Sequence, residues 1–104
     1  MKVEINGLPW MIEEVEPKTE SGFFEIEGTP CVGATDFLKQ KIMLLPDTET
    51  TTGKRRTLMH ELAHAICFSH GLGNFRRFNH EQLCEFVAHH SDFIVRIADE
   101  YMNM

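Results

Sequence analysis

The sequence predicts an α+β fold, in which a small, mostly antiparallel or mixed N-terminal sheet is followed by two long helices. Three observations carry this reading. Short runs of β-type residues separated by turn signals fill the first 45 positions. Apolar residues at three- and four-residue spacing then surround His60-Glu61-Leu62-Ala63-His64, and the same spacing recurs from Asn79 to the C-terminus. Strands first and helices last place the sheet against the apolar stripes of both helices.

Asn6-Gly7 is a two-residue hairpin signal joining Val3-Glu4-Ile5 to the stretch Leu8 to Val15, where Leu8, Trp10 and Ile12 alternate with other residues. Lys18 to Gly22 is a polar turn. Phe23 to Glu27 forms a short strand that Gly28-Thr29-Pro30 should break, and Cys31 to Ala34 and Lys41 to Leu45 supply two more strands, the last ended by Pro46-Asp47. Thr48 to Gly53 is a loop into the first helix, which should run from about Thr52 to Ser69 and stop at Gly71 or Gly73. Asn79 with Gln82 reads as a capping box opening the second helix. Leu83, Phe86, Val87, His90, Ile94, Ile97, Ala98 and Tyr101 continue it to the end.

The chain has 104 residues, enough for a single domain over residues 1–104 with one core. No run approaches a membrane span and Met-Lys-Val-Glu-Ile-Asn lacks the shape of a signal peptide, so a cytoplasmic protein is expected. Cys31, Cys67 and Cys84, odd in number and set among apolar neighbours, read as small core residues in a reducing compartment, with a thiolate metal ligand as the alternative. A net charge of −6 argues against nucleic-acid binding. The basic runs Lys54-Arg55-Arg56 and Arg76-Arg77 read as solvated charges.

Chemistry concentrates in His60-Glu61-Leu62-Ala63-His64. Imidazoles four positions apart on a helix share one side and can grip one metal ion, while Leu58, Leu62, Ala65 and Ile66 form the apolar stripe elsewhere on the same helix. Neutral imidazole suits Zn²⁺, and three protein ligands leave its fourth position to water. Glu61 is then the general base that takes the proton of that water as it attacks a carbonyl. The pattern encodes hydrolysis of a protein or peptide substrate.

A third ligand must come from elsewhere. His70 is six residues after His64, but a backbone turn at that spacing needs glycine where Cys67 stands, and a continuing helix rotates His70 about 240° away from His64. Glu81 and Glu85 lie i to i+4 on the second helix, so that one could bind zinc and the other accept a hydrogen bond from a ligand histidine. His80 and His89 stay open beside them.

These motifs resemble a known family. Thr57-Leu58-Met59-His60-Glu61-Leu62-Ala63-His64-Ala65-Ile66, followed by Glu81-Gln82-Leu83-Cys84-Glu85-Phe86-Val87-Ala88, is similar to the ImmA/IrrE-type metallopeptidases, small gluzincins of bacteria and their phages. Gly33-Ala34-Thr35-Asp36 and Lys41-Ile42-Met43-Leu44 also resemble the strands leading into that family's zinc helix, so the likeness spans residues 8–97. The resemblance implies His60, His64 and Glu81 as zinc ligands and Glu61 as general base. Glu85 stands where the family carries Asn or Asp, and the family's Met-Pro helix ending is absent. Relatives often cleave transcriptional repressors, which makes a repressor the substrate the resemblance implies.

Four side chains, His70, His89, His90 and Tyr101, are open as donors to a tetrahedral intermediate. Lys41 to Leu45 would suit either an exposed edge strand that pairs with a substrate peptide or an ordinary core strand. The Tyr101-Met102-Asn103-Met104 tail could fold over the metal as a self-blocking group. The rival function is a zinc-containing binding protein, or an inactive relative, that engages a regulator without cutting it. Substrate and oligomeric state are not encoded legibly.

Overall fold

The computed structural model describes residues 1–46, 50–73 and 77–104. Among the described residues six strands precede two helices: β1 Lys2–Ile5, β2 Leu8–Glu14, β3 Phe24–Ile26, β4 Thr29–Cys31, β5 Gly33–Asp36, β6 Lys41–Leu44, α1 Thr51–Ser69 and α2 His80–Met102. This is the expected α+β order. The main sheet is mixed, in the order β1-β2-β6-β5, with β2 and β6 parallel and the other pairs antiparallel.

Asn6 and Gly7 both take positive φ, 49° and 81°, as the expected two-residue hairpin requires. A second such turn was not foreseen. Glu27 and Gly28 repeat the geometry at 51° and 79°, so the chain reverses there and Thr29-Pro30 enters β4 instead of breaking the structure. Pro30 is tolerated because β3 and β4 form a separate two-stranded sheet. The expected strand Cys31 to Ala34 is divided at Val32, whose carbonyl accepts from Leu45 N–H at 3.4 Å.

Strand alternation builds the core. Trp10 and Ile12 of β2, with Ile42 and Leu44 of β6, point at Leu58, Leu62, Ala65 and Ile66 of α1, and α2 adds Phe86, Ile94, Ile97 and Ala98. Trp10 is buried with its Nε1 donating to Ser69 Oγ at 2.8 Å. The two helices run antiparallel, since Arg55 near the start of α1 pairs with Asp99 near the end of α2 at 2.8 Å. The far end of α2 is less covered, and its expected core residues Leu83 and Val87 are exposed.

Local chemistry fixes the helix ends. Thr50 caps α1 by accepting from Gly53 N–H at 3.0 Å. At the other end Gly71, at φ 66°, donates to the Phe68 carbonyl while Leu72 N–H reaches the Cys67 carbonyl, a Schellman closure. Asn79 and Gln82 form the full capping box of α2. Asp47 of the expected strand ending, Thr48 and Glu49 of the expected loop, and Arg76 of the second basic run lie outside the described residues.

Candidate active site

α1 carries His60 and His64 on one side, one turn apart, with Glu61 beside them. His60 is exposed, His64 half-buried and Glu61 buried, and one ligand atom from each lies within 4.8 Å of the others. The imidazole Nε2 atoms are 3.2 Å apart. Two nitrogens bound tetrahedrally at 2.0–2.1 Å to one zinc ion would be separated by about 3.3 Å, so the spacing of the pair matches what such an ion requires. Burial lowers the His64 pKa; nearby Glu61 opposes that shift and His60 adds to it. A neutral ring is the ligating form.

Glu61 is held from the sheet side. Thr35 of β5 donates its hydroxyl to Glu61 Oε1 at 3.3 Å and approaches the Glu61 carbonyl at 3.4 Å. This close approach of strand to helix depends on Gly33: a Cβ there would meet Thr57 Cγ2 at 2.6 Å and Glu61 Cγ at 3.2 Å. Sequence reasoning missed Thr35, because nothing local marks a strand residue as the partner of a helix residue 26 positions on.

The three motif residues line a cleft of about 610 Å³ between α1 and the β3–β4 hairpin. Its walls include Ile26, Thr29, Pro30, Cys31, Val32 and Gly33 opposite Arg56 and Thr57. Of the run Lys54-Arg55-Arg56, Lys54 pairs with Glu14 and Arg55 with Asp99, while Arg56 is solvent-exposed as read and in addition lines the cleft one turn before His60. The signal was available in the i to i+4 spacing from Arg56 to His60 to His64.

Of the two readings of Lys41 to Leu45, the structure shows the core strand: β6 is flanked by β2 and β5, because a parallel β2–β6 pairing puts it inside the sheet. The sheet ends at β5, which packs beside the motif.

Glu81, in the first turn of α2, stands outside the His60-Glu61-His64 group among the described residues. With Glu85, His70, His89 and His90 it lines a separate cavity of about 470 Å³ where the C-terminal end of α1 meets the start of α2. Glu85 and His89 approach at 3.4 Å, and the His70 and His90 rings lie 5.0 Å apart. Burial, then His70 and His89, lower the His90 pKa. His70 caps the end of α1, since the helix does continue through Cys67. Cys67 is buried as expected and burial raises its pKa, but Cys31 is half-buried and Cys84 is exposed, contrary to the core reading. Tyr101 packs against the core near Glu14 and Lys54, and neither it nor the Met102–Met104 tail lines the cleft, so the self-blocking tail is not seen.

The sequence matches the profile of the peptidase family M78, described as the IrrE N-terminal-like domain, over residues 7–93. The chain belongs to this peptidase family. No curated protein and no solved structure matches it. Family membership joins the sequence resemblance to the geometry: a peptidase domain whose His-Glu-His group could hold a metal ion sits on the floor of an open cleft. No described helix is long and apolar enough to cross a membrane.

Proposed function

We propose that residues 1–104 act as a single minimal zinc metalloendopeptidase domain that cuts a specific protein, with a transcriptional repressor as the substrate class the family suggests. The observation that carries this is buried Glu61 beside two zinc-spaced imidazoles and open to a peptide-sized cleft. A purely structural metal site has no need of a carboxylate in that position.

His60 and His64 would hold the ion, with Glu81 as third ligand on the strength of the family motif. Bound zinc would polarise the scissile carbonyl and acidify a water molecule. Glu61 takes the proton of the attacking water at a carboxylate oxygen and passes it to the leaving amine. The Thr35 hydroxyl orients that carboxylate, so the proton is received on the side facing the cleft. β5, as the terminal strand, offers its free edge to an extended substrate.

The position of Glu81 supports one rival. A chain whose third ligand stays in the α2 cavity would bind zinc weakly and serve as a binding protein or inactive relative. Incubating zinc-loaded protein and its Glu61→Gln variant with host lysate, then mapping new N-termini, decides between them. New termini from the first protein alone uphold the peptidase; none from either, with stable capture of a regulator by both, upholds the rival.

A further inference from the structure

We infer that the cleft selects its substrate by two anchors of different chemistry, a bulky apolar side chain upstream of the cut bond and an acidic side chain downstream. The inference rests on the peptidase reading and specifies its substrate class. Arg56, His60, His64 and Phe68 follow one another at i to i+4 along α1, forming a slanting stripe with the metal pair in the middle. One end of this stripe is cationic. Arg56 is exposed and makes no ion pair with a described residue, and among the described residues that line the cleft the only acid is Glu61.

The other end is aromatic. Phe68 meets Phe37, just past β5, with ring centroids 5.3 Å apart, and the two remain 44% and 41% exposed. Paired rings left this open to water form an apolar seat on the same α1 stripe as the two imidazoles.

Direction follows from the strand. Gly33 lies against Thr57 and Glu61 while Phe37 lies against Phe68, so β5 advances in the same sense as α1. An added strand pairs more stably when antiparallel. A substrate on the free edge of β5 therefore enters over the Phe37–Phe68 pair and leaves past Arg56. Twelve helical residues separate Phe68 from Arg56, about 18 Å at ~1.5 Å per residue. An extended peptide covers that in five or six residues at ~3.3 Å each. With the imidazoles midway, each anchor sits about three residues from the bond.

The test uses internally quenched decapeptides carrying Phe, Leu or Ser at the upstream position and Glu, Ala or Lys at the downstream one, with the zinc-loaded full chain. Phe or Leu with Glu should be cut about tenfold faster than the same peptide with Lys, since attraction at an exposed cation is exchanged for repulsion. Arg56→Glu should invert the downstream preference and leave the upstream one; Phe37→Ser should erase only the upstream one. Equal cutting of Glu and Lys peptides, or an unmoved preference in Arg56→Glu, overturns the inference. If no peptide is cut, the peptidase reading fails on these substrates and binding of the same peptides to zinc-loaded Glu61→Gln protein decides the anchors. Tighter binding of the Phe–Glu peptide, lost in Arg56→Glu, upholds them; indifferent binding overturns them.

Discussion

Replacing Gly33 with alanine sets two effects of opposite sign against each other. Alanine in a strand is ordinarily the more stable choice by about 0.5–1 kcal/mol, because it loses less backbone freedom on folding. Here the new methyl would lie 2.6 Å from Thr57 Cγ2 and 3.2 Å from Glu61 Cγ. Carbon atoms rest at about 3.5–4.0 Å, so β5 would have to withdraw from α1 by roughly 1 Å, an overpacking strain of about 1–3 kcal/mol. The strain wins, and Gly33→Ala should destabilise by about 1–2 kcal/mol, read as a urea midpoint about 1 M lower. Thr57→Ser removes the clashing methyl and keeps the hydroxyl. In that background Gly33→Ala should cost at most about half as much, a coupling that a double-mutant cycle measures directly. Equal costs in both backgrounds, or a more stable Gly33→Ala protein, would refute the account of Gly33 as a contact glycine. The same withdrawal carries Thr35 out of reach of Glu61, now 3.3 Å away, so cleavage should fall even where Gly33→Ala remains folded and zinc-loaded.

Elemental analysis should find one zinc per chain, lost in His64→Ala and in Glu81→Ala; full occupancy in Glu81→Ala with loss in Glu85→Ala or His70→Ala would remove Glu81 from the ligand set. Glu61→Gln should keep fold and metal yet lose at least about 10²-fold in rate, and unchanged cleavage of a real substrate would end the general-base assignment. Ser69→Ala strands the buried Trp10 Nε1–H, now 2.8 Å from Ser69 Oγ, and should cost about 1–3 kcal/mol in chemical denaturation; a cost near zero would mean water replaces the hydroxyl. His64 and His90 titrate below the ordinary 6.5 in the folded protein. The unfolded chain therefore takes up protons that the fold refuses, and the metal-free protein should lose stability as pH falls below 6.5 toward those depressed values, where a rising urea midpoint would contradict the sign.

How far the sequence could be read depended on how local each signal was. The helix ends were legible because Asn79 with Gln82, and Gly71 just past Ser69, act through bonds spanning only a few residues. His60, Glu61 and His64 were legible for the same reason: one helical turn brings them together whatever surrounds it. Strand order was not. Ile42 and Leu44 alternate inward equally well in a central or an edge strand, so the pattern of β6 could not tell which strand borders the site. The apolar run of α2 likewise promised burial for Leu83 and Val87, which their exposure denies, because periodicity records a face and not the length of its partner. Glu81 divides along this line. Its place in a helical motif is local, whereas its distance from His60 and His64 depends on how α2 meets α1, and there it shares a cavity with His70 and His90. In the proposed reading the imidazole pair and the base thus sit on one helix, whereas Thr35, Glu81 and the two substrate anchors act through contacts between elements. It follows that changes at Ile26, Phe37 or Arg56 should retune which peptide is cut while leaving the zinc pair intact, and that changes at Thr35 or Gly33 should weaken cutting without altering the choice.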